Sequence, residues 1–460
     1  MKPYLLIILP LATIACVDSE LHSSLSPTTS IIPHEQVKGI DPQTLEISEE
    51  DAAFVALTSN THTKSSFNKR VANIVTYYCD NGDPAFYAIN YENQLGYTLI
   101  SATKNYYPVL AISEYGCFPP KETDSGTLIL VNQYIKDISL SKECPEDSLL
   151  AIRSQWVKYE RSNNAIVSTR TGGSINEVIN TNMAEWINND YMFSALSEGA
   201  LHSIPEDVFQ RFINVAQGLT HPDYDPLDYS YLLVKYSTNT YQRGPYLTTS
   251  WHQEYPYNQY IPIVNSHQVV GCCGVAAGQI IAFHQKPTSY ASWSSISNGD
   301  NTEIATLLYN VANGVNTDYS NGASDIINVK NYLTALGYQC SRVYHSLSTT
   351  LGSLNLSYPV FMSGVTPNHS GHAWVCDGYQ DNMHTVEYIL KIIPLDEPLR
   401  FVTADTYTVS SDSYLFHMNW GSQSVYPGWY TDSGSSSDWP SGIDNCNFSD
   451  NRQDLIHIHY

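Results

Sequence analysis

The stretch that decides the fold is Gly271-Cys272-Cys273-Gly274-Val275-Ala276-Ala277-Gly278-Gln279-Ile280-Ile281-Ala282-Phe283-His284. It predicts a buried helix that begins at a thiol, because a glycine precedes Cys272 and the small side chains allow close backbone packing. A cysteine in the first turn of a helix lies near unpaired N–H groups and the positive end of the dipole, which stabilise the thiolate. The sequence thus offers a candidate nucleophile, although Cys272 and Cys273 also fit the pattern of small buried residues.

The composition limits the classes of partner. The chain has 460 residues, enough for two or three domains. Asp and Glu outnumber Lys and Arg by 45 to 22, and the formal net charge is -23. Such an acidic surface repels nucleic-acid phosphates, so we expect no nucleic-acid partner. The charge says nothing about the reaction.

Residues 1–16 have the pattern of a signal peptide. Lys2 supplies a positive start, an apolar stretch follows, and the segment is too short for a membrane span. The sequence Thr13-Ile14-Ala15-Cys16 resembles a bacterial lipobox, in which Cys16 is lipidated. We therefore expect export to the outer surface, a periplasm-facing site or the medium. Lipid anchoring and simple secretion both remain open, and we expect membrane contact only through such an anchor.

The other cysteines and the histidine pairs give no metal signature. Eight cysteines follow Cys16, at positions 79, 117, 144, 272, 273, 340, 376 and 446. An even number allows disulfides in an exported chain, but the irregular spacing leaves the pairing open. There is no CxxC pair, and His457 and His459 alternate as in a terminal strand. We predict no metal site and no cofactor.

The first half of the chain divides by composition. Residues 17–50 are rich in Ser, Thr and Pro and predict a flexible tether. Residues 51–120 predict a small α+β module, with a helix near Glu49–Ser59 and strands near 85–91, 96–102 and 108–113. Residues 121–244 predict a helical linker or insertion, which Pro145 interrupts.

Three further motifs complete the chemistry that Cys272 suggests. They are Trp251-His252-Gln253-Glu254-Tyr255-Pro256-Tyr257-Asn258, Gly371-His372-Ala373-Trp374-Val375-Cys376-Asp377-Gly378 and Phe416-His417-Met418-Asn419-Trp420-Gly421. A thiol peptidase needs a thiolate, a base, a group that orients the base and a donor to the oxyanion. The order Gln, Cys, His, Asn-Trp supplies all four.

These motifs resemble the streptopain family of papain-like cysteine peptidases. Residues 251–258 and 271–284 match the family's W-x-Q-x-x-P-Y-N and its G-C helix with Q-I-x-x-x-H, and Gly371–Gly378 and His417–Gly421 match its histidine and H-x-N-W-G motifs. The strands at Gly96–Phe118 resemble the family's inhibitory prodomain. The resemblance covers about 51–118 and 245–460. It implies an α+β fold with a papain-like two-lobed peptidase domain at 245–460, preceded by a prodomain at 51–120.

The resemblance also implies the role of each site residue. Cys272 matches the nucleophile, rather than Cys273, because its spacing to Gln279 is that of the family. His372 matches the general base and acid, and Gln253 matches the donor to the oxyanion. Asn419 and Trp420 match the pair that orients and shields the imidazole.

The expected function is that of a secreted or surface-anchored cysteine endopeptidase made as a zymogen. Its partners would be protein or peptide substrates and its own prodomain. Two alternatives stay open on the sequence: a catalytically degenerate binding or inhibitor lipoprotein of the same fold, and a thiol acyl transferase.

Several features depart from the family pattern. Asn419-Trp420-Gly421 continues as Ser422-Gln423-Ser424 instead of W-G-G, and the segments 160–243 and 381–412 have no placed counterpart. Polar, Gly-containing loops favour activation cleavage at Ser162–Ser174, near Arg170, or after Arg243 on the approach to Gly244. A shortened chain that starts near residue 244 is therefore expected to be active.

Overall fold

A computed structural model describes residues 28–30, 39–59, 69–118, 125–160, 174–365, 371–395, 399–423, 426–432 and 452–460. The predicted signal peptide with Cys16, most of the tether, the loop around Arg170 and Cys446 lie outside these ranges. None of the helices in the described ranges has the length and apolar character needed to cross a bilayer.

The N-terminal module, which comprises the described residues up to 118, is an antiparallel sheet covered by one helix. Its elements are β1 Thr28–Ser30, α1 Glu49–Ser59, β2 Val71–Tyr78, β3 Pro84–Tyr91, β4 Tyr97–Ser101 and β5 Val109–Ser113. The predicted helix and strands are confirmed. Gly96 makes the turn into β4 at φ +92, where a Cβ would lie 1.9 Å from the carbonyl oxygen of Ser113, so only glycine fits.

Two helices follow, α2 Ser125–Ser141 and α3 Glu146–Arg153, and the predicted break at Pro145 separates them. A 3-10 turn at Ser154–Tyr159 continues α3. Trp156 and Tyr159 pack into the core of the N-terminal module. Val157 packs into a different core, formed by later parts of the chain. This short turn therefore joins two bodies of the protein.

The remaining elements of the chain lie between residue 174 and the C-terminus. They are α4 Ser174–Asn188, β6 Met192–Ala195, α5 Glu206–Leu219, β7 Tyr231–Arg243, α6 Cys272–His284, α7 Trp293–Ser297, α8 Asn301–Gly314, α9 Ile326–Ala335, β8 Gln339–Tyr344, α10 Leu347–Asn355, β9 Val360–Val365, β10 Gly371–Ile392, β11 Val402–Asn419, β12 Gly428–Thr431 and β13 Gln453–His459. The predicted helix at 272–284 and the terminal strand are confirmed.

One antiparallel sheet runs through the molecule, in the order β1-β2-β3-β4-β5-β12-β11-β10-β9-β13-β8. Helices α6, α8 and α9 pack beside it around an apolar core, which forms the helical lobe. The N-terminal module enters the same sheet, because β5 pairs with β12 at Ile112–Trp429 and Ala111–Tyr430.

The two segments that the sequence left unplaced build one substructure, which we call the insertion module (residues 174–243 with 381–412). β7 pairs with β10 from Tyr231–Lys391 to Arg243–Tyr379, and β6 pairs with β7. The apolar face of α5 covers these strands, with Phe212 and Leu232 in their common core. Residues 231–243 are thus part of the sheet that carries β10.

Candidate active site

Cys272 is the first residue of α6. Gly271 precedes it at φ 85, and a Cβ there would lie 2.6 Å from the carbonyl oxygen of Gly322. Glycine is therefore required at the entry to the helix. Cys272 thus lies at the start of a helix, where the dipole favours a thiolate.

The small residues of α6 let it approach its neighbours closely. A Cβ on Gly278 would lie 2.4 Å from Leu308 Cδ2, and one on Gly274 would lie 3.5 Å from the Ala312 side chain. Both contacts are to α8. The helix is buried from Cys272 to Ala282, so the thiol is held on a rigid element.

His372 lies in the second position of β10, opposite Gly364 of β9. Its Nε2 is 2.8 Å from the backbone carbonyl oxygen of Trp420. A carbonyl only accepts, so Nε2 must carry the proton. This fixes the tautomer and leaves Nδ1 as the ring nitrogen that can exchange a proton with a thiol.

Gln253 is anchored next to the start of α6, because its backbone carbonyl accepts from the N–H of Val270 at 3.1 Å. Its side-chain Oε1 is buried and has no hydrogen-bond partner among the described residues. A buried amide oxygen without a donor is costly and often marks a functional position. The structure thus places the predicted oxyanion residue beside the thiol's helix.

The Asn419 side chain is held by the protein scaffold. Its Nδ2 donates to the carbonyl of Thr249 at 2.7 Å and to Gln279 Oε1 at 3.1 Å. Its Oδ1 accepts from the N–H of Gly421 at 3.3 Å. The hydrogen bond described above reaches the imidazole from the backbone of Trp420, so the role of the Asn419 side chain is to shape this turn.

The Trp420 indole lies in an aromatic cluster that the N-terminal module completes. Its ring centroid is 5.2 Å from that of Trp374 and 5.0 Å from that of Tyr430, and the latter pair is edge-to-face. The hydroxyl of Tyr430 in turn hydrogen-bonds to that of Tyr97 in β4. A residue of the N-terminal module therefore contacts the aromatic wall next to His372.

The site is closed in this conformation. Cys272 and His372 are each 1% exposed. A polypeptide substrate cannot reach either group without a movement of the surrounding chain. A closed site is what a zymogen requires.

The sequence reasoning missed two groups at the site. In the sequence, Gln279 served only to fix the spacing from Cys272. Its side chain hydrogen-bonds both to the N–H of Trp251 and to the side chain of Asn419. Asp377, fully buried, lies 2.6 Å from Nδ1 of His417 and also accepts from the N–H of Leu247. Gln279 lies inside the cysteine motif and Asp377 inside the histidine motif, and these positions were the sequence signal that could have identified them.

Comparison with known protein families decides the class. The profile of the Peptidase C10 family matches residues 251–302 and 290–430, and that of the Spi protease inhibitor matches residues 47–138. Residues 251–430 of the chain therefore resemble the peptidase C10 family. All five predicted site residues lie inside the C10 matches: Gln253, Cys272, His372, Asn419 and Trp420.

The C10 match confirms the predicted streptopain family and its α+β peptidase domain, and the inhibitor match confirms the prodomain. Among solved structures, a fragment of prointerpain A from Prevotella intermedia is similar at 14% identity, with a TM-score of 0.40, over 81% of this chain and 94% of that one. No curated protein matches the chain.

No metal site accompanies this C10 site in the part of the chain that the structure describes. Groups of three or more His, Cys, Asp or Glu side chains arranged to hold an ion are absent there. The described site consists of protein side chains and backbone groups.

Proposed function

We propose that this protein is a cysteine endopeptidase made as a zymogen, and that Cys272 and His372 carry the reaction. The observation that carries the proposal is the hydrogen bond from His372 Nε2 to the Trp420 carbonyl, which holds the imidazole in one tautomer, in a chain whose helix α6 begins at a thiol. That arrangement supplies a thiolate, and a base in the correct tautomer.

The chemistry follows from these positions. The Cys272 thiol gives its proton to His372 Nδ1, and the thiolate that results attacks the substrate carbonyl carbon. The carbonyl oxygen becomes an oxyanion that the Cys272 N–H and the Gln253 amide stabilise. His372 Nδ1 gives its proton to the leaving amine, and the peptide C–N bond breaks. Water then attacks the thioester, His372 takes its proton, and the acid product leaves the regenerated thiolate.

The N-terminal module is proposed as the inhibitor of this activity. Its sequence matches the Spi protease inhibitor, its strand β5 extends the peptidase sheet, and Tyr97 contacts the aromatic cluster next to His372. We expect these contacts to keep the module docked until the chain is cut and the module removed.

The activation cleavage is proposed to fall between Glu160 and Ser174. The alternative position, at Arg243 and Gly244, lies in ordered structure: Arg243 pairs with Tyr379, and the N–H of Tyr246 donates to the Asp377 carbonyl at 2.9 Å. A Cβ on Gly244 would lie 2.3 Å from that same oxygen. A protease needs an extended, mobile segment, which this tight junction does not offer.

Export and lipidation at Cys16 are proposed from the N-terminal sequence alone. The expected result is that wild-type protein fractionates with membranes after expression in a bacterium that lipidates proteins, and that Cys16→Ser does not. Equal membrane recovery of both forms would reject lipid anchoring while leaving export untouched.

The peptidase proposal is tested with an unfolded protein substrate under reducing conditions. Cys272→Ala is expected to abolish hydrolysis because the covalent path is lost. Cys273→Ala should keep much of it, since alanine replaces one small buried side chain of α6 with another and leaves the proposed nucleophile in place. Hydrolysis that survives in Cys272→Ala would refute the proposed nucleophile.

A further inference from the structure

Gln279 occupies a special position on the helix that carries the thiol. It follows Cys272 by seven residues, which is about two turns, so both side chains lie on the same face of α6. Its side chain is completely buried. A buried amide is costly unless its hydrogen bonds are made, so its partners reveal why the residue is there.

The Gln279 amide connects two segments that are far apart in sequence. Its Oε1 accepts from the backbone N–H of Trp251 at 3.2 Å and from Asn419 Nδ2 at 3.1 Å. Its Nε2 donates to Asn419 Oδ1 at 3.3 Å. Gln279 and Asn419 thus form a two-way amide pair, and the same side chain also holds the segment that leads to Gln253.

The amide pair controls the group that holds the imidazole. Asn419 Oδ1 accepts from the N–H of Gly421, which closes the turn around Trp420. The carbonyl of Trp420 accepts the proton of His372 Nε2 at 2.8 Å. The turn is also pressed against α6, since a Cβ on Gly421 would lie 3.0 Å from Val275 Cγ1.

We propose that Gln279 is a positioning residue of the catalytic site, acting through Asn419 and Trp420 on His372 and through Trp251 on the Gln253 segment. The inference rests on the proposed function of Cys272 and His372. In this proposal one side chain sets the relative positions of nucleophile, base and oxyanion donor. The hydrogen bonds of Gln279 given above go to their neighbours and not to these three groups themselves.

The test compares Gln279→Met with wild type after the full chain has processed itself, with active sites counted by an irreversible thiol reagent. We expect kcat to fall on the order of 10²-fold with KM nearly unchanged, as for a small misplacement of catalytic groups. The bond from Nε2 to the Trp420 carbonyl stabilises the imidazolium, so its loss should move the basic limb of the pH profile to lower pH.

Gln380→Met is the matched control, because residue 380 stays in the chain after the cut. Gln380 also belongs to an amide pair, with Nε2 3.0 Å from Gln242 Oε1, but this pair is exposed and joins β10 to β7 in place of α6 to the site. It should keep the wild-type kcat and pH profile per active site. If Gln279→Met behaves like this control, the positioning role is refuted.

A second variant covers the case in which Gln279→Met does not fold. Gln279→Asn stays neutral and polar, but its side chain is one methylene shorter and cannot reach Trp251 and Asn419 together, so it should show a fall in kcat and the same shift of the basic limb. A wild-type kcat and a wild-type pH profile in this variant would overturn the proposal. Failure of the proposed function is distinguishable, because it would appear as unchanged hydrolysis in Cys272→Ala.

Discussion

At the scale of residues, the sequence assigned to Asn419 and Trp420 together the task of orienting and shielding the His372 imidazole. The motif order predicted a set of site residues, and all five lie inside the C10 matches. It was not enough to predict that the Trp420 backbone, and not a side chain, holds the imidazole. Backbone carbonyls leave no trace in residue identity, so sequence reasoning had no signal for this bond.

Gln253 gives the sharpest prediction at this scale. Gln253→Ala should lower kcat on the order of 10²-fold, as in other enzymes that lose one donor to the oxyanion. The matched control is Gln259→Ala, whose side chain makes only an exposed 3.4 Å contact with the Asn301 carbonyl. Steady-state kinetics on a peptide substrate would check both; an unchanged kcat in Gln253→Ala would reject the oxyanion role.

At the scale of elements, strand β7 changes the boundary that the sequence suggested. The strand periods of the N-terminal module and the helix at 272–284 were predictable because their patterns are local. The pairing of β7 with β10 was not, since more than a hundred residues separate the two strands and long-range pairing has no local signature.

A truncation series tests this boundary. A chain that starts at Ser174 should be soluble and active, because it keeps the insertion module whole. A chain that starts at Gly244 loses β7, which uncovers an edge of β10 and the apolar core around Phe212 and Leu232. We expect it to aggregate, as measured by size-exclusion chromatography. Soluble, active protein from residue 244 would show that β7 is dispensable.

A buried ionic cluster lies at the ends of strands β8, β12 and β13 and predicts a pH dependence of stability. Arg452 makes two 2.7 Å bonds to Asp432, and His345 Nδ1 lies 2.7 Å from Asp454. Burial and Arg452 lower the pKa of His345, but Asp432 and Asp454 prevail and raise it to about 10. Protonated His345 therefore stabilises the fold.

The direction in which stability changes with pH follows from the raised pKa of His345. The contribution of His345 to the free energy of unfolding is fully present below pH 6.5, the ordinary pKa, and is lost as the pH rises towards about 10. Urea unfolding of the Cys272→Ala protein between pH 6 and 9 should show this decline. The decline should be absent in His345→Leu and retained in His221→Ala, a surface histidine; the same slope in all three proteins would rule His345 out.

At the scale of the whole molecule, the prodomain and the peptidase share one sheet and one apolar core. Tyr97 and Leu110 of the N-terminal module pack with Trp374 and Trp420 of the peptidase domain in a single cluster. Separation of the two parts exposes this surface, so the uncut chain should hold the closed state. We therefore expect the closed site to protect Cys272 from thiol reagents and from substrates.

The other cysteines of the protein should interfere little with chemical labelling of Cys272. Burial raises the pKa of the Cys79, Cys340 and Cys376 thiols, which lowers their reactivity at neutral pH. A reagent that depends on thiolate should therefore discriminate strongly among the cysteines of the folded protein.

The most direct test is to treat the intact chain and the chain that starts at Ser174 with an irreversible peptidyl thiol reagent and to map the modified residue by mass spectrometry. We predict rapid labelling of Cys272 in the shortened chain and little in the intact one. Labelling of Cys273 or another thiol in place of Cys272 would contradict the proposed nucleophile. Equal labelling of Cys272 in both chains would contradict the inhibitory role of the N-terminal module.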